Sequence, residues 1–191
     1  MLPFSLDPDI ISWSYLLQFM VFVPLAVLAL RAPGQRWHEA LDLKWVPVKI
    51  IARWSAIWLI CWLTAAFLYW QLPLPVDSFL HVINVTRHPG LLVTAVLLAP
   101  VLEEIIFRAA GFRLLRHTRA GLSGTLLVTS LLFMLIHVQQ YSWALLMLMF
   151  CFGVLLGLAR EKTGSLLVPL ILHALNNFCS ALAIIWLDIV R

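Results

Sequence analysis

Charged residues are scarce in this sequence: Asp, Glu, Lys and Arg together make up 12% of its 191 residues. A soluble globular domain carries about twice that share, whereas 63% of this chain is hydrophobic. A soluble chain of this length cannot bury so much apolar surface, and a disordered chain contains far less of it. The composition therefore excludes an ordinary soluble enzyme and a disordered chain, and it predicts a membrane protein.

Cysteine is also rare, and Cys61, Cys151 and Cys179 show neither metal-ligand nor disulfide spacing. We interpret them as small hydrophobic side chains, because all three lie inside apolar runs. The net charge is +4, but the basic residues stand between apolar segments rather than along one polar face, which argues against nucleic acid as a partner. The first residues lack the basic region of a signal peptide, so we expect the first apolar run to be retained.

Six apolar runs follow one another, each about long enough to cross a bilayer as a helix. They cover roughly residues 11–30, 48–71, 90–115, 122–138, 141–159 and 165–187. The backbone in hydrocarbon must satisfy its own hydrogen bonds, and no run alternates as barrel strands do, so the runs are predicted to be helices. We expect an all-α fold, a transmembrane helix bundle of about six spans that forms a single integral-membrane domain over residues 1–191.

The Lys and Arg residues concentrate in alternate loops. The loop between the first two runs, the loop after the third and the loop after the fifth contain Arg31, Arg36, Lys44, Lys49, Arg53, Arg113, Arg116, Arg119, Arg160 and Lys162. The other loops contain only Arg87, apart from Arg191 at the end. Basic loops stay in the cytoplasm, so the pattern predicts a multi-pass protein with both termini outside, position 117 cytoplasmic and position 77 outside.

Two patterns in the runs indicate helix packing. Trp54, Trp58 and Trp62 lie on one face of the second run, and we interpret this stripe as packing or lipid contact rather than as a substrate groove. Gly153 and Gly157 form a GxxxG pattern in the fifth run, which allows a neighbouring helix to approach closely.

Three ionisable residues lie near the centre of the third run, where a charge is costly and indicates a functional site. Glu104 and Arg108 are four residues apart, so they share a helix face and can pair. Glu103 points about 100° away from Glu104 and has no cationic partner at helical spacing. A structural charge cluster would explain Glu104 and Arg108 but not Glu103. Pro100 predicts a kink just before Glu103, because proline removes one backbone hydrogen bond.

Two further runs carry polar residues at membrane depth. His137 lies near the end of the fourth run, and His173 and Asn177 share one face of the sixth. A single histidine in an apolar helix is more often an interior packing residue than a catalyst. These residues and the unpaired Glu103 come from three different runs, however. If they converge, they form a polar pocket with apolar walls, in which water can be activated.

The chain resembles the CPBP family, the CAAX-protease and bacteriocin-processing intramembrane proteases of the Abi or Rce1 type. The resemblance rests on three motifs in this order: Glu103-Glu104-x-x-x-Arg108, Phe133-x-x-x-His137 and His173-x-x-x-Asn177. It covers a motif-bearing core of about residues 90–187, and the first two runs have no matching motif. The resemblance implies an endopeptidase that acts on a membrane-associated protein or peptide. The chain is similar to the compact bacterial members, which implies a bacterial cell membrane.

The resemblance also implies roles for the site residues. Glu103 would be the general base on a water that His137 shares. His173 and Asn177 would bind the carbonyl oxygen as negative charge develops on it. The two remaining motif residues, Glu104 and Arg108, would form the structural pair.

A zinc site is the alternative mechanism, with Glu103, His137 and His173 as ligands and a water in the fourth position. The three ligands would come from three helices, without the HExxH pair that places two histidines on one helix face. Asn177 suits an oxyanion better than zinc. We therefore favour a reaction without a metal cofactor.

Two other functions are compatible with the same residues. The first is a catalytically silent membrane scaffold or bacteriocin-immunity protein of the same fold. The second is a small transporter or proton channel with Glu103, His137 and His173 as a relay, although the sequence lacks the inverted repeat of broken helices typical of transporters.

Overall fold

The computed structural model describes residues 7–71, 81, 83, 84 and 86–187. All regular structure in these residues is helical, as predicted, and the helices are α1 (Pro8–Leu30), α2 (Trp37–Ala40), α3 (Val48–Gln71), α4 (Pro89–Arg116), α5 (Gly121–Leu135), α6 (Trp143–Thr163) and α7 (Leu167–Leu187). Within these ranges, all but α2 and α5 are long and apolar enough to cross a membrane. Many large apolar side chains on their outer faces are exposed, as lipid-facing residues are. The fold is a polytopic helix bundle.

The fourth predicted span is shorter than expected. We predicted a helix over residues 122–138, whereas α5 has 15 residues and is therefore about 22 Å long, less than the ~30 Å of the hydrocarbon core. The His137 N–H donates to the Met134 carbonyl at 3.1 Å, three residues back, and His137 Nδ1 lies 2.8 Å from the Phe133 carbonyl. The side chain thus replaces the backbone donor that would have continued the helix, and His137 lies in the turn after α5.

Helix α4 is not a uniform α-helix. It is π-helical over Thr94–Leu98 and again over Ile105–Gly111, and the α-helical segment Ala99–Glu104 lies between them. Such π-helical turns occur frequently at functional sites. Two π-helical segments thus flank the α-helical turn that contains Pro100 and the two glutamates, and the kink near Pro100 stays a prediction.

The first π-helical segment frees one backbone carbonyl. In a regular α-helix the Ala95 carbonyl would accept from the Ala99 N–H, but Ala99 donates to Thr94 instead. The next residue, Pro100, has no N–H to offer. The Asn177 side chain on α7 donates from Nδ2 to the Ala95 carbonyl at 2.8 Å, which joins α7 to α4.

The second π-helical segment frees the Arg108 carbonyl in the same way. The N–H of Phe112, which would donate to Arg108 in an α-helix, donates to Phe107 instead. Nε of Arg160 on α6 donates to the Arg108 carbonyl at 3.1 Å. The two π-helical segments thus hold α4 against α7 and α6 through bonds from side chains to freed carbonyls.

Helices α5 and α6 pack closely at the glycines of α6. A Cβ atom on Gly153 would lie 3.0 Å from Cβ of Ser130, and one on Gly157 would lie 2.5 Å from Cδ2 of Leu126. A side chain at Gly153 would press on Cβ and Cα of Ser130, and one at Gly157 would require the Leu126 side chain to move. The GxxxG pattern therefore serves close helix packing, as predicted.

The tryptophan stripe of α3 packs against α7. Trp58 is 4% exposed, and its Nε1 donates to Oδ1 of Asn176 at 3.3 Å. Nε1 of Trp62 donates to the Ser180 hydroxyl at 3.2 Å. Packing, rather than a substrate groove, accounts for these two tryptophans.

Asp42, in the loop between α1 and α3, fastens that loop to three helix ends. Its φ of 52° lies in the left-handed region, which aspartate tolerates. Oδ2 accepts from Nη2 of Arg113 at 3.0 Å and of Arg160 at 2.6 Å, and Oδ1 lies 3.1 Å from Nζ of Lys44. The Asp42 carbonyl accepts from the N–H of Leu166, just before α7. One acidic residue thus joins the basic ends of α4 and α6 to the start of α7.

We expect Asp42→Asn to destabilise the protein at neutral pH. Partial burial alone would raise the pKa of Asp42, but hydrogen bonds from Arg113 and Lys44 and the charge of Arg160 hold the pKa below its ordinary value. A lowered folded-state pKa contributes stability that is complete above the unfolded-state pKa and is lost as the pH falls through the folded-state pKa. The free energy of unfolding should fall by about 1.5–3 kcal/mol, the range for hydrogen bonds to charged groups.

The melting temperature in detergent at pH 7 and pH 3 checks this prediction. The difference between the wild type and Asp42→Asn should be largest at pH 7 and smaller at pH 3. Glu39→Gln is the matched control, since Glu39 is an exposed acid on α2 and glutamine keeps a side-chain oxygen that can accept from the Arg36 N–H. Equal melting temperatures for Asp42→Asn and Glu39→Gln at pH 7 would contradict the prediction.

Candidate active site

Glu103 is buried in the bundle, with 6% of its surface exposed, and two buried histidines face it. Its Oε1 lies 3.9 Å from Nε2 of His137, and its Oε2 lies 3.6 Å from Nε2 of His173. These separations are longer than direct hydrogen bonds. The structure therefore brings together three of the predicted site residues, from α4, from the turn after α5 and from α7.

Hydrogen bonds orient both imidazole rings. A backbone carbonyl only accepts, so Nδ1 of His137 carries the hydrogen that it donates to Phe133. Nδ1 of His173 lies 2.8 Å from Oε1 of Glu104 and donates to that carboxylate. In both rings Nε2 is therefore the atom that faces Glu103.

Glu104 and Arg108 form an ion pair inside the bundle. Nη1 of Arg108 lies 3.0 Å from Oε1 of Glu104, and both side chains are 0% exposed. Nη2 donates to the Gly153 carbonyl at 3.1 Å. The guanidinium carbon lies 4.7 Å from the centre of the Phe133 ring, which adds a cation–π contact. The pair indicated by the i, i+4 spacing is therefore part of a larger buried network.

Glu104 has a second contact that the sequence did not indicate. Spacing within one helix identified Arg108 as its partner, but the same carboxylate oxygen also accepts from His173 on α7. The contact joins residues far apart in the chain, so helical periodicity carries no signal for it. Glu104 thus links the ion pair to a histidine that faces Glu103.

Asn177 lies against α4 through its bond to the Ala95 carbonyl. Its Oδ1 accepts from Nδ2 of Asn176 at 3.3 Å, and Asn176 in turn accepts from Trp58 on α3. A series of hydrogen-bonded side chains therefore runs from α3 through α7 to the Ala95 carbonyl of α4. The second N–H of Asn177 Nδ2 is not used by this bond.

A cavity of about 40 Å³ lies beside Glu103 and His137. A single water needs about 10–15 Å³ of such space, so the cavity has room for water but not for a peptide segment. Its other polar lining residues are Tyr15, Thr94, Gln140 and Tyr141. Sequence reasoning missed these four, because uncharged polar residues in apolar runs give little signal.

The zinc alternative would take Glu103, His137 and His173 as its ligands. In the part of the chain that the structure describes, no group of three or more His, Cys, Asp and Glu side chains is arranged to hold a metal ion. The Nε2 atoms of His137 and His173 face different oxygens of the Glu103 carboxylate, at 3.9 and 3.6 Å.

These features define a class of protein: an integral, multi-pass helical membrane protein with a buried carboxylate that two oriented histidines face. Residues 85–179 match the family described as Rce1-like, Type II CAAX prenyl endopeptidase. This match, over just under half of the chain, confirms the resemblance to the CPBP proteins. Helices α1, α2 and α3 lie outside the matched residues.

A second comparison finds a related protein of Escherichia coli, named as an uncharacterized 24.3 kDa protein. It is 36% identical to this chain over 83 residues, which are 43% of this chain and 38% of that protein. The chain thus spans well under half the length of this curated relative. No solved structure matches the chain significantly.

Proposed function

We propose that this protein is an intramembrane endopeptidase that hydrolyses a peptide bond of a membrane-associated protein or peptide, with Glu103 as the general base. The observation that carries the proposal is the position of Glu103, a buried carboxylate between the Nε2 atoms of His137 and His173. It lies beside a cavity of about 40 Å³, large enough for a water. A general base must lie within reach of the proton that it removes.

In the proposed reaction a water in the cavity donates one hydrogen bond to Glu103 and the other to Nε2 of His137. As its oxygen attacks the carbonyl carbon, the proton passes to Glu103 and negative charge develops on the carbonyl oxygen. Glu103 then returns the proton to the leaving nitrogen while the C–N bond breaks. No metal takes part in this sequence.

The developing oxyanion needs donors, and His173 is proposed as one of them. Nδ1 of His173 donates to the carboxylate of Glu104, so donation from Nε2 to the oxyanion would use the imidazolium form, in which both ring nitrogens carry hydrogen. The second N–H of Asn177 is the other proposed donor. Such donors act most strongly where water is excluded.

The endopeptidase activity in this proposal rests on the matched family, which is described as Rce1-like, Type II CAAX prenyl endopeptidase. We propose a membrane-associated protein or peptide as the substrate of this chain. We propose that the loop with Asp42 is cytoplasmic and that both termini lie outside, because the Lys and Arg residues concentrate in alternate loops. A bacterial cell membrane is the proposed location.

Mass spectrometry of membranes tests this function. Cells that express the wild type should contain new peptide N-termini in membrane proteins, and cells that express Glu103→Gln should lack them. A silent scaffold would produce new N-termini in neither case. A transporter would instead change ion flux into liposomes when Glu103 is replaced.

We expect the reaction to be independent of metal. Protein stripped by a strong chelator, and free of zinc by elemental analysis, should retain its cleavage rate. The rate is measured on an internally quenched peptide that spans the strongest cleavage site found in the membranes. Loss of the rate on stripping, with recovery after one equivalent of zinc, would make Glu103, His137 and His173 ligands.

A further inference from the structure

Helix α1 forms one wall of the cavity, although no sequence motif lies in α1. Ile11 and Tyr15 are four residues apart on one face of α1, and both line the cavity together with Glu103 and His137. The family match begins at residue 85, so α1 lies outside it. The cavity beside Glu103 is thus completed by a helix from the unmatched part of the chain.

The first half of α1 is held against the rest of the bundle. Oδ1 of Asp9 lies 3.3 Å from Nε2 of His88, just before α4. Ile11 packs on a cluster that contains Leu91 of α4 and Ile184 of α7. Tyr15 lies one turn beyond Ile11, so these contacts hold it at the cavity.

Tyr15 offers the cavity a hydroxyl group that can donate one hydrogen bond. The other phenol of the cavity, Tyr141, lies with its ring 5.8 Å from the ring of His137 and has a further interaction of its own. Neither His173 nor Asn177 is among the residues that line the cavity.

We propose that Tyr15 is a further catalytic residue of this site, whose hydroxyl donates a hydrogen bond to the carbonyl oxygen of the substrate as negative charge develops there. This inference rests on the proposed peptidase function. Glu103 on α4 and Tyr15 on α1 line the same cavity; in this proposal only the carbonyl oxygen of the substrate enters it, and the peptide segment stays outside. Tyrosine side chains serve as oxyanion donors in other enzymes.

The test is the Tyr15→Phe variant, which removes the hydroxyl and retains the ring. The protein is placed in liposomes of phosphatidylethanolamine and phosphatidylglycerol, and the quenched peptide described above is the probe. Because the hydrogen bond forms in the transition state, we expect kcat to fall by about 10²–10³-fold while KM stays within about twofold. Tyr69→Phe on α3 makes the same chemical change away from the cavity and should retain the wild-type kcat.

A second variant separates chemistry from packing. Ile11→Ala trims the same wall of the cavity without removing a polar group, so it should lower Tm. If Tyr15→Phe lowers Tm and changes kcat and KM as Ile11→Ala does, Tyr15 only packs α1 and the inference is wrong. A wild-type kcat for Tyr15→Phe also overturns it.

The Glu103→Gln variant, run in the same assay, separates this inference from the proposed function. If Glu103→Gln is inactive and Tyr15→Phe equals Tyr69→Phe, the function stands and the role of Tyr15 is overturned. If Glu103→Gln cleaves the probe at the wild-type rate, the proposed function itself fails, and the inference fails with it.

Discussion

Replacing Glu103 with glutamine is expected to abolish peptide cleavage and to leave the fold intact. Glutamine has nearly the same shape but cannot take the proton of the attacking water. The neighbouring Glu104 is not placed to substitute, because it does not line the cavity and its Oε1 is bound to Arg108 and His173. General-base catalysis contributes about 10²–10⁴-fold, so kcat on the quenched peptide should fall by at least that factor.

Two further variants, measured in the same assay, make this prediction specific. Asn177→Ala should leave measurable cleavage, about 10²–10³-fold below the wild type, because removal of one oxyanion donor is incomplete. Glu39→Gln makes the same acid-to-amide change at an exposed position on α2 and should have the wild-type rate. A Glu103→Gln protein with a much lower Tm than the wild type would instead support a structural charge cluster.

Replacing Arg108 with alanine is expected to lower the free energy of unfolding by about 3–5 kcal/mol, the cost of removing one partner of a buried ion pair. The carboxylate of Glu104, 0% exposed, would lose its cationic neighbour. The Gly153 carbonyl would lose its donor, and Phe133 would lose the guanidinium above its ring. Tm in detergent and the yield of folded protein measure the effect.

Arg53→Ala is the matched control, because Arg53 is an exposed basic residue on α3, and its Tm should stay near the wild-type value. Glu104→Ala should lower stability as Arg108→Ala does, and it should also lower kcat, since it removes the acceptor that orients His173. Similar melting temperatures for Arg108→Ala and Arg53→Ala would show that the buried pair contributes little.

Much of the fold follows from local properties of the chain. Hydrophobicity and length identify spans because each helix in lipid satisfies its own backbone hydrogen bonds. Helical spacing identified the pair Glu104 and Arg108, because side chains four positions apart on one helix are neighbours. The end of α5 was predicted less well, because the side chain of His137 takes the Phe133 carbonyl and stops the helix.

The sequence by itself determined that the protein is an all-helical membrane bundle, and it singled out Glu103, His137, His173 and Asn177 as unusual polar residues in apolar runs. Only the tertiary structure decided how these residues meet. In the folded protein the Nε2 atoms of His137 and His173 face Glu103, and Glu104 accepts from His173 of another helix. Tyr15 of α1 lines the cavity beside Glu103. The physical reason is that helical periodicity relates residues within about one turn, whereas these contacts depend on how separate helices pack.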